Sequence, residues 1–187
     1  MSKQTWQETF IASQVDGGAV TGTTPTSLLP GAAKFTLPAN FCEIGRVFRV
    51  TAKGRVSNIV TTPGTLTIDV RFTAGSTIIV FAGAAMQLNA VAKTNVTWIW
   101  EADLTVRAIG SGTAANLLGI GQWTSESVVG SPLPSVGGSG TLLCPASAPA
   151  PGTGFDSSVA QVVDLVAAFS LTGNSITAHQ FSFESLN

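Results

Sequence analysis

Asn95-Val96-Thr97-Trp98-Ile99-Trp100-Glu101-Ala102-Asp103-Leu104-Thr105-Val106-Arg107-Ala108-Ile109-Gly110 repeats with a period of two along most of its length. Val96, Trp98, Trp100, Ala102, Leu104, Val106 and Ala108 fall on one face of an extended chain, and Thr97, Glu101, Asp103, Thr105 and Arg107 on the other. Only Ile99 breaks the alternation. A helical winding would place Trp100 and Asp103 on the same face and scatter the charges around the cylinder, so the stretch reads as a half-buried strand. Its Trp-rich face needs cover, and the neighbouring segments carry the same period.

Upstream, Phe48, Val50, Ala52, Gly54 and Val56 alternate with Arg49, Thr51, Lys53 and Arg55, which gives a strand over Arg46 to Ser57 with a cationic outer face. After Thr62-Pro63-Gly64, Leu66, Ile68, Val70 and Phe72 alternate with Thr65, Thr67, Asp69 and Arg71, and the short turn predicts a hairpin between these two strands. Thr77 to Ala82 is apolar on both faces. Downstream, Thr113 to Ser125 alternates less cleanly around Gly119 and Gly121. Ser158 to Leu171 presents Val159, Val163, Leu165, Ala167 and Phe169 inward, and Ser175 to Leu186 presents Phe181 and Phe183. Thr172-Gly173-Asn174 is expected to join these two as a closing hairpin. At the N-terminus, Glu8 to Ser13 is a short extended candidate in an arm of about 16 residues, and Ala33 to Pro38 is a brief strand ended by proline.

Gly130 to Gly154 has no periodicity and is longer than an ordinary loop, which marks it as a functional excursion or a segment ordered by a neighbour. Turn signals at regular spacing, and no helical pattern, predict an all-β chain: one antiparallel β-sandwich domain, a single jelly roll, over residues 1–187.

Hydrophobic residues make up 44% of the chain and charged residues only 10%, with a net charge of −1. So little charge gives no electrostatic reason to expect nucleic acid or an anionic membrane as partner, and such a surface suits burial against other protein chains. No run approaches the roughly 18 apolar residues a membrane span needs. The N-terminus lacks the basic-then-apolar pattern of a secretory signal, so nothing routes the chain to export and the expectation is a protein made in a reducing cytoplasm. Cys42 and Cys144 fit no metal spacing, and in that compartment they are expected as free thiols packed like small hydrophobes.

Catalytic patterns are weak. His179 is the only histidine and reads as an outward residue of the last strand. Glu101 and Asp103 share a strand face and are expected to pair across strands with Lys53, Arg55 or Arg71. Gly137-Gly138-Ser139-Gly140 lacks the second glycine and the helix of a nucleophile elbow. Gly119-Ile120-Gly121 lacks the rest of a dinucleotide fingerprint. Asn95-Val96-Thr97 fits a glycosylation sequon, which carries no weight without export. No catalytic, cofactor-binding or metal-ligating residue is assigned. The candidate interface residues are Trp6 and Phe10 in the arm, Trp123, and Leu133, Leu142 and Leu143 in the excursion, large apolar groups of the kind interfaces favour.

The run Thr36-Leu37-Pro38-Ala39-Asn40-Phe41, followed by Gly45 to Val56 and then Thr62-Pro63-Gly64-Thr65-Leu66-Thr67-Ile68-Asp69-Val70-Arg71-Phe72, resembles virion structural proteins of tailed bacteriophages. The closing Asp164-Leu165 and Phe181-Ser182-Phe183-Glu184 are similar as well. The resemblance covers residues 36 to 109 and 158 to 187, and the long excursion departs from the shorter loop expected there. It implies a non-enzymatic jelly roll acting as a homotrimer in the virion, made in the host cytoplasm. The first reading is a capsid decoration (cement) protein bound to the major capsid protein. The alternative is a minor tail or tail-tip protein that contacts other tail proteins or a host surface ligand. A carbohydrate-binding or carbohydrate-active β-sandwich is a lesser alternative.

Overall fold

The period-two stretches become long strands in a computed structural model that describes residues 7–130, 140–145 and 147–186, with the side chains of 128–130 left out. In chain order the strands are β1 (Glu8–Ala12), β2 (Thr26–Ser27), β3 (Phe35–Leu37), β4 (Val47–Asn58), β5 (Thr65–Ala74), β6 (Ser76–Leu88), β7 (Lys93–Ala108), β8 (Asn116–Ser125), β9 (Val128–Gly130), β10 (Thr141–Cys144), β11 (Gln161–Phe169) and β12 (Ser175–Ser185), with one 3-10 turn at Gly31–Ala33. They form two antiparallel sheets, ordered β1-β12-β4-β7-β8-β10 and β2-β11-β5-β6-β9, with β3 also paired to β11. The sheets face each other as a β-sandwich. Within each sheet the long strands stand in the order last, first, second, third (β12-β4-β7-β8 and β11-β5-β6-β9), the Greek-key order that jelly rolls use twice.

The decisive stretch is β7, the central strand of its sheet, and its faces are those the alternation predicts. Trp98, Trp100, Ala102, Leu104 and Val106 are buried, while Ile99 points outward and is exposed. Two expected hairpins are corrected. β4 pairs with β7 and β12, and β5 pairs with β6 and β11, so residues 59–64 arch from one sheet to the other. Likewise β11 and β12 lie in opposite sheets, joined by an arch through Gly173. Alternation identifies which face of a strand is buried, but it does not identify the neighbour at its edge.

Buried asparagines hold these arches in place. Asn58 Nδ2 donates to the carbonyls of Asn89 (2.6 Å), Val91 (3.1 Å) and Ile59 (3.2 Å), and its Oδ1 accepts from Ser127 Oγ (2.5 Å). Asn174 Nδ2 donates to Pro63 O (2.8 Å) and Leu171 O (3.1 Å), and its Oδ1 accepts from Ile59 N–H (3.1 Å). Arch carbonyls that no ladder reaches are thereby satisfied, as buried backbone requires.

β6 runs on to Leu88, beyond the Ala82 expected. A register shift opposite Val70 and Arg71 leaves Val80 as an extra residue, which turns both Val80 and Phe81 inward and explains the doubly apolar run. β8 alternates cleanly once its glycines are counted as inward residues. A Cβ on Gly119 would lie 2.2 Å from the Phe81 ring, and one on Gly121 2.4 Å from the Glu101 carbonyl oxygen. Bare backbone lets Phe81 of the facing sheet approach closely at Gly119, and the neighbouring strand β7 at Gly121.

The core has two aromatic centres. Trp98 and Trp123 stack at 5.2 Å between ring centroids, and Trp100 tilts against Phe81 at 6.0 Å. Towards the N-terminal edge, Phe10 packs with Phe35 at 5.0 Å and meets Phe41, Phe48 and Phe183. Such pairs add about 0.5–1.5 kcal/mol each beyond their burial.

The excursion is partly core. β10 adds to the edge of β8 with Leu142 and Cys144 inward, Pro151 bridges to Leu118, and Phe155 bridges to Ala115 and meets Phe72 edge-on at 5.1 Å. In the arm, β1 pairs with β12. The described parts of both segments therefore find partners within their own chain. β11 begins at Gln161, and Val159 is exposed, not inward, because a turn built on Asp156 precedes the strand. Asp156 accepts from Ser158 Oγ (2.5 Å), Ser158 N–H (2.8 Å) and Gly112 N–H (2.8 Å).

These bonds, the Ser158 hydroxyl first, hold the Asp156 carboxyl below its ordinary pKa. A depressed carboxylate stabilises the fold above its unfolded pKa, and that contribution is lost as pH falls through the folded value. Asp156→Asn is therefore expected to flatten the acid limb of the thermal midpoint against pH, leaving the neutral limb unchanged in slope.

Cys42 and Cys144 are free and buried. Burial pushes both thiols up to about 11, against smaller lowering by Arg46 at Cys42 and by Trp100 at Cys144. Neither is expected to react with a disulfide reagent in the native protein at pH 8, and both should react on unfolding; a fast native thiol would contradict this packing.

Candidate interaction surfaces

Outward residues of β4, β7, β8, β10 and β12 form one broad face. Cross-strand register sets Glu184, Arg49, Asp103 and Ile120 in one row, Ser182, Thr51, Glu101, Gln122 and Leu143 in the next, and Gln180, Lys53, Ile99, Thr124 and Thr141 in a third. Arg49 is the hub. Its Nε and Nη2 donate to the two carboxylate oxygens of Asp103 at 2.8 and 2.9 Å, and Glu101 lies 3.5 Å away. The Asp103 hydrogen bonds push the guanidinium pKa up, with desolvation opposing and the charges of Asp103, Glu101 and Glu184 assisting. The partner of the acid pair is thus Arg49, not Lys53, Arg55 or Arg71. Arg71 lies in the other sheet, 2.9 Å from Asp69, which is buried.

All three side chains of the Arg49 group are more than a third exposed or close to it, so the pairing is expected to contribute no more than about 1 kcal/mol. Glu101→Gln should leave the melting temperature within a degree or two, measured by circular dichroism. Lys53 and Arg55 make no ion pair among the described residues. His179 points outward as expected and meets Asp16 at 2.9 Å.

The face carries two shallow hollows. One, of about 200 Å³, is lined by Glu101, Asp103, Ile120, Gly121, Gln122 and Leu143. The other, of about 300 Å³, lies against β1, β12 and β4, with Ala12, Ser13, Lys53, Gln180, Phe181 and Ser182 among its lining.

At the end of the sandwich where the arches gather, a second surface forms. Val60 (59% exposed), Val91 (66%), Ile59 and Leu171 stand out from three arches. The arches touch: Thr61 N–H donates to Ala90 O at 2.8 Å, and Gly173 abuts Ile59. Residues 58–64, 89–92 and 170–174 contain no charged side chain, and Lys93 and Glu126 pair with each other nearby at 3.1 Å. The Asn58 and Asn174 bonds described above fix the backbone under these apolar tips.

Of the candidate interface residues, Leu143 is outward and 59% exposed. Leu142 faces inward, Phe10 is half-buried in its aromatic cluster, and Trp123 is wholly buried against Trp98, so its place is in the core and not on a surface. Trp6 and Leu133 lie outside the described residues, as do Gly137, Gly138 and Ser139. The exposed arch residues sit in turn-rich sequence, which does not distinguish them from ordinary loop residues. Their one mark in the sequence is the pair Ile59-Val60 inside a turn, apolar residues with no core to serve.

No group of three or more histidine, cysteine or acidic side chains able to hold a metal ion occurs among the described residues. No family model matches this chain, and no curated protein or solved structure matches it.

Proposed function

We propose that this chain is a non-enzymatic phage virion structural protein, a capsid decoration protein that docks on the assembled head shell and stabilises it. The observation that carries the reading is the arch end: an uncharged cluster of exposed apolar side chains on backbone held rigid by buried asparagines. A rigid apolar surface loses little entropy on docking and is stabilised by burial against another protein. The sequence run that resembles phage virion proteins supplies β3 to β5, including the first of these arches. The acid pair supports a non-catalytic role, because both carboxylates share Arg49 on an open face where the hollow beside them is shallow. The partner is the major capsid protein, the location is the virion, and a net charge of −1 supplies no attraction to nucleic acid.

Purified protein added to particles stripped of it is expected to raise their disruption temperature, because binding the shell alone stabilises it by mass action. Val60→Asp and Val91→Asp, at exposed positions, should fold normally and lose this effect. Equal protection by both variants would remove the arch end from the account. Binding confined to one end of the particle would assign the protein to the tail.

A further inference from the structure

Along the middle rows of the broad outer face, charge is sorted between two strands. β4 presents Arg49, Lys53 and Arg55, and its neighbour β7 presents Glu101 and Asp103, with exposed Arg107 beyond them at the strand's end and Glu184 of β12 beside Arg49. Arg49 is satisfied within the chain, whereas Lys53 and Arg55 have no ion-pair partner among the described residues and Glu101 has only the longer 3.5 Å contact. Adjacent columns of opposite sign on one face are complementary to the same face turned over. Ile99, Ile120 and Leu143 are exposed on it as well, apolar area that a partner would bury.

We propose that this face pairs with the same face of a second copy about a two-fold axis that runs parallel to the strands between β4 and β7. That operation lays β4 of each copy over β7 of the other, β12 over β8 and β1 over β10, and so brings Lys53 towards Glu101 of the second copy. The hollow at Lys53 then faces the hollow at Glu101 and Asp103, and exposed Leu143 projects into the space lined by Ala12, Ser13 and Ser182. An axis across the strands fails, because it lays Lys53 over Arg49 of the second copy. A three-fold ring needs the two signs on different faces, so this surface favours a pair over the trimer that the phage resemblance implies. Four long strands about 4.8 Å apart and about 25 Å long, with the short edge strands β1 and β10 beside them, give about 600 Å² a side, or about 1,200 Å² in all, within the range of specific dimers.

An axis parallel to the strands leaves their direction unchanged. Both arch ends therefore point the same way, and the pair offers twice the apolar surface to whatever it docks on. The pairing uses a different surface from the docking proposed above and stands or falls separately.

Light scattering of the full chain at micromolar concentration tests it. The expected mass is twice 19.1 kDa, with dissociation promoted by salt. Lys53→Glu and Glu101→Lys should each raise the dissociation constant about tenfold or more. The double exchange should restore the pair, with circular dichroism showing that all three remain folded. A monomer, a trimer, or a pair indifferent to both reversals would overturn the proposal.

Discussion

Trp100→Ala is expected to lower the unfolding free energy by about 3–5 kcal/mol, the cost of truncating a large buried aromatic ring. Trp100 sits on the central strand, wholly buried, with Phe81 across the sandwich and Cys144 on the edge strand beside it. Its indole N–H has no partner at hydrogen-bond geometry and is turned toward the Cys144 sulfur, a weak acceptor, so the loss is almost wholly one of packing. With a typical domain stability of about 5–15 kcal/mol, the variant should be barely folded at 37 °C. Chemical denaturation followed by tryptophan fluorescence measures it directly. A loss under about 1 kcal/mol would mean that the inward face of β7 is wrongly assigned.

Asn58→Ala should have the next largest effect, about 3 kcal/mol. Asn58 is 4% exposed, and its removal strips donors from the carbonyls of Asn89, Val91 and Ile59 and an acceptor from the buried Ser127 hydroxyl. Each buried polar group left unpaired costs about 1–3 kcal/mol, reduced where water enters the arch. Packing of the sheets is untouched, so the damage should be local as well as global. Hydrogen exchange at residues 89–92 should accelerate well beyond that of β7, and shell docking through Val91 should weaken even at temperatures where the protein is folded. Uniform loss of protection would indicate that Asn58 serves only global stability.

The contrast between these two residues also shows what was legible in the sequence. Trp100 announces its environment through its neighbours, because a period of two with charges on the alternate residues admits one reading. Asn58 announces nothing. An asparagine before Ile59-Val60 reads as a turn residue, and only the meeting of arches from distant parts of the chain makes it a buried hub. The same limit produced the two incorrect hairpins: a short Pro-Gly or Gly-Asn connection fits a tight turn and an inter-sheet arch equally well, and the choice is made by which strands find edges to pair. Trp123 was misplaced for a related reason. Gly119 and Gly121 blur the alternation of β8, and their inward role appears only when Phe81 and Ala102 are brought against them. Leu143, a candidate from the sequence, is exposed on the outer face, whereas the charges of β4 and β7 required the register to place Lys53 one row from Glu101.

The docking claim depends on abundance. A decoration protein repeats with the lattice it covers, whereas a tail component is present in a handful of copies at one vertex. Quantitative protein staining of purified particles counts copies of this chain against the major capsid protein. A ratio near one, or a simple fraction fixed by the lattice, is the expected result; a handful of copies per particle would contradict decoration of the head.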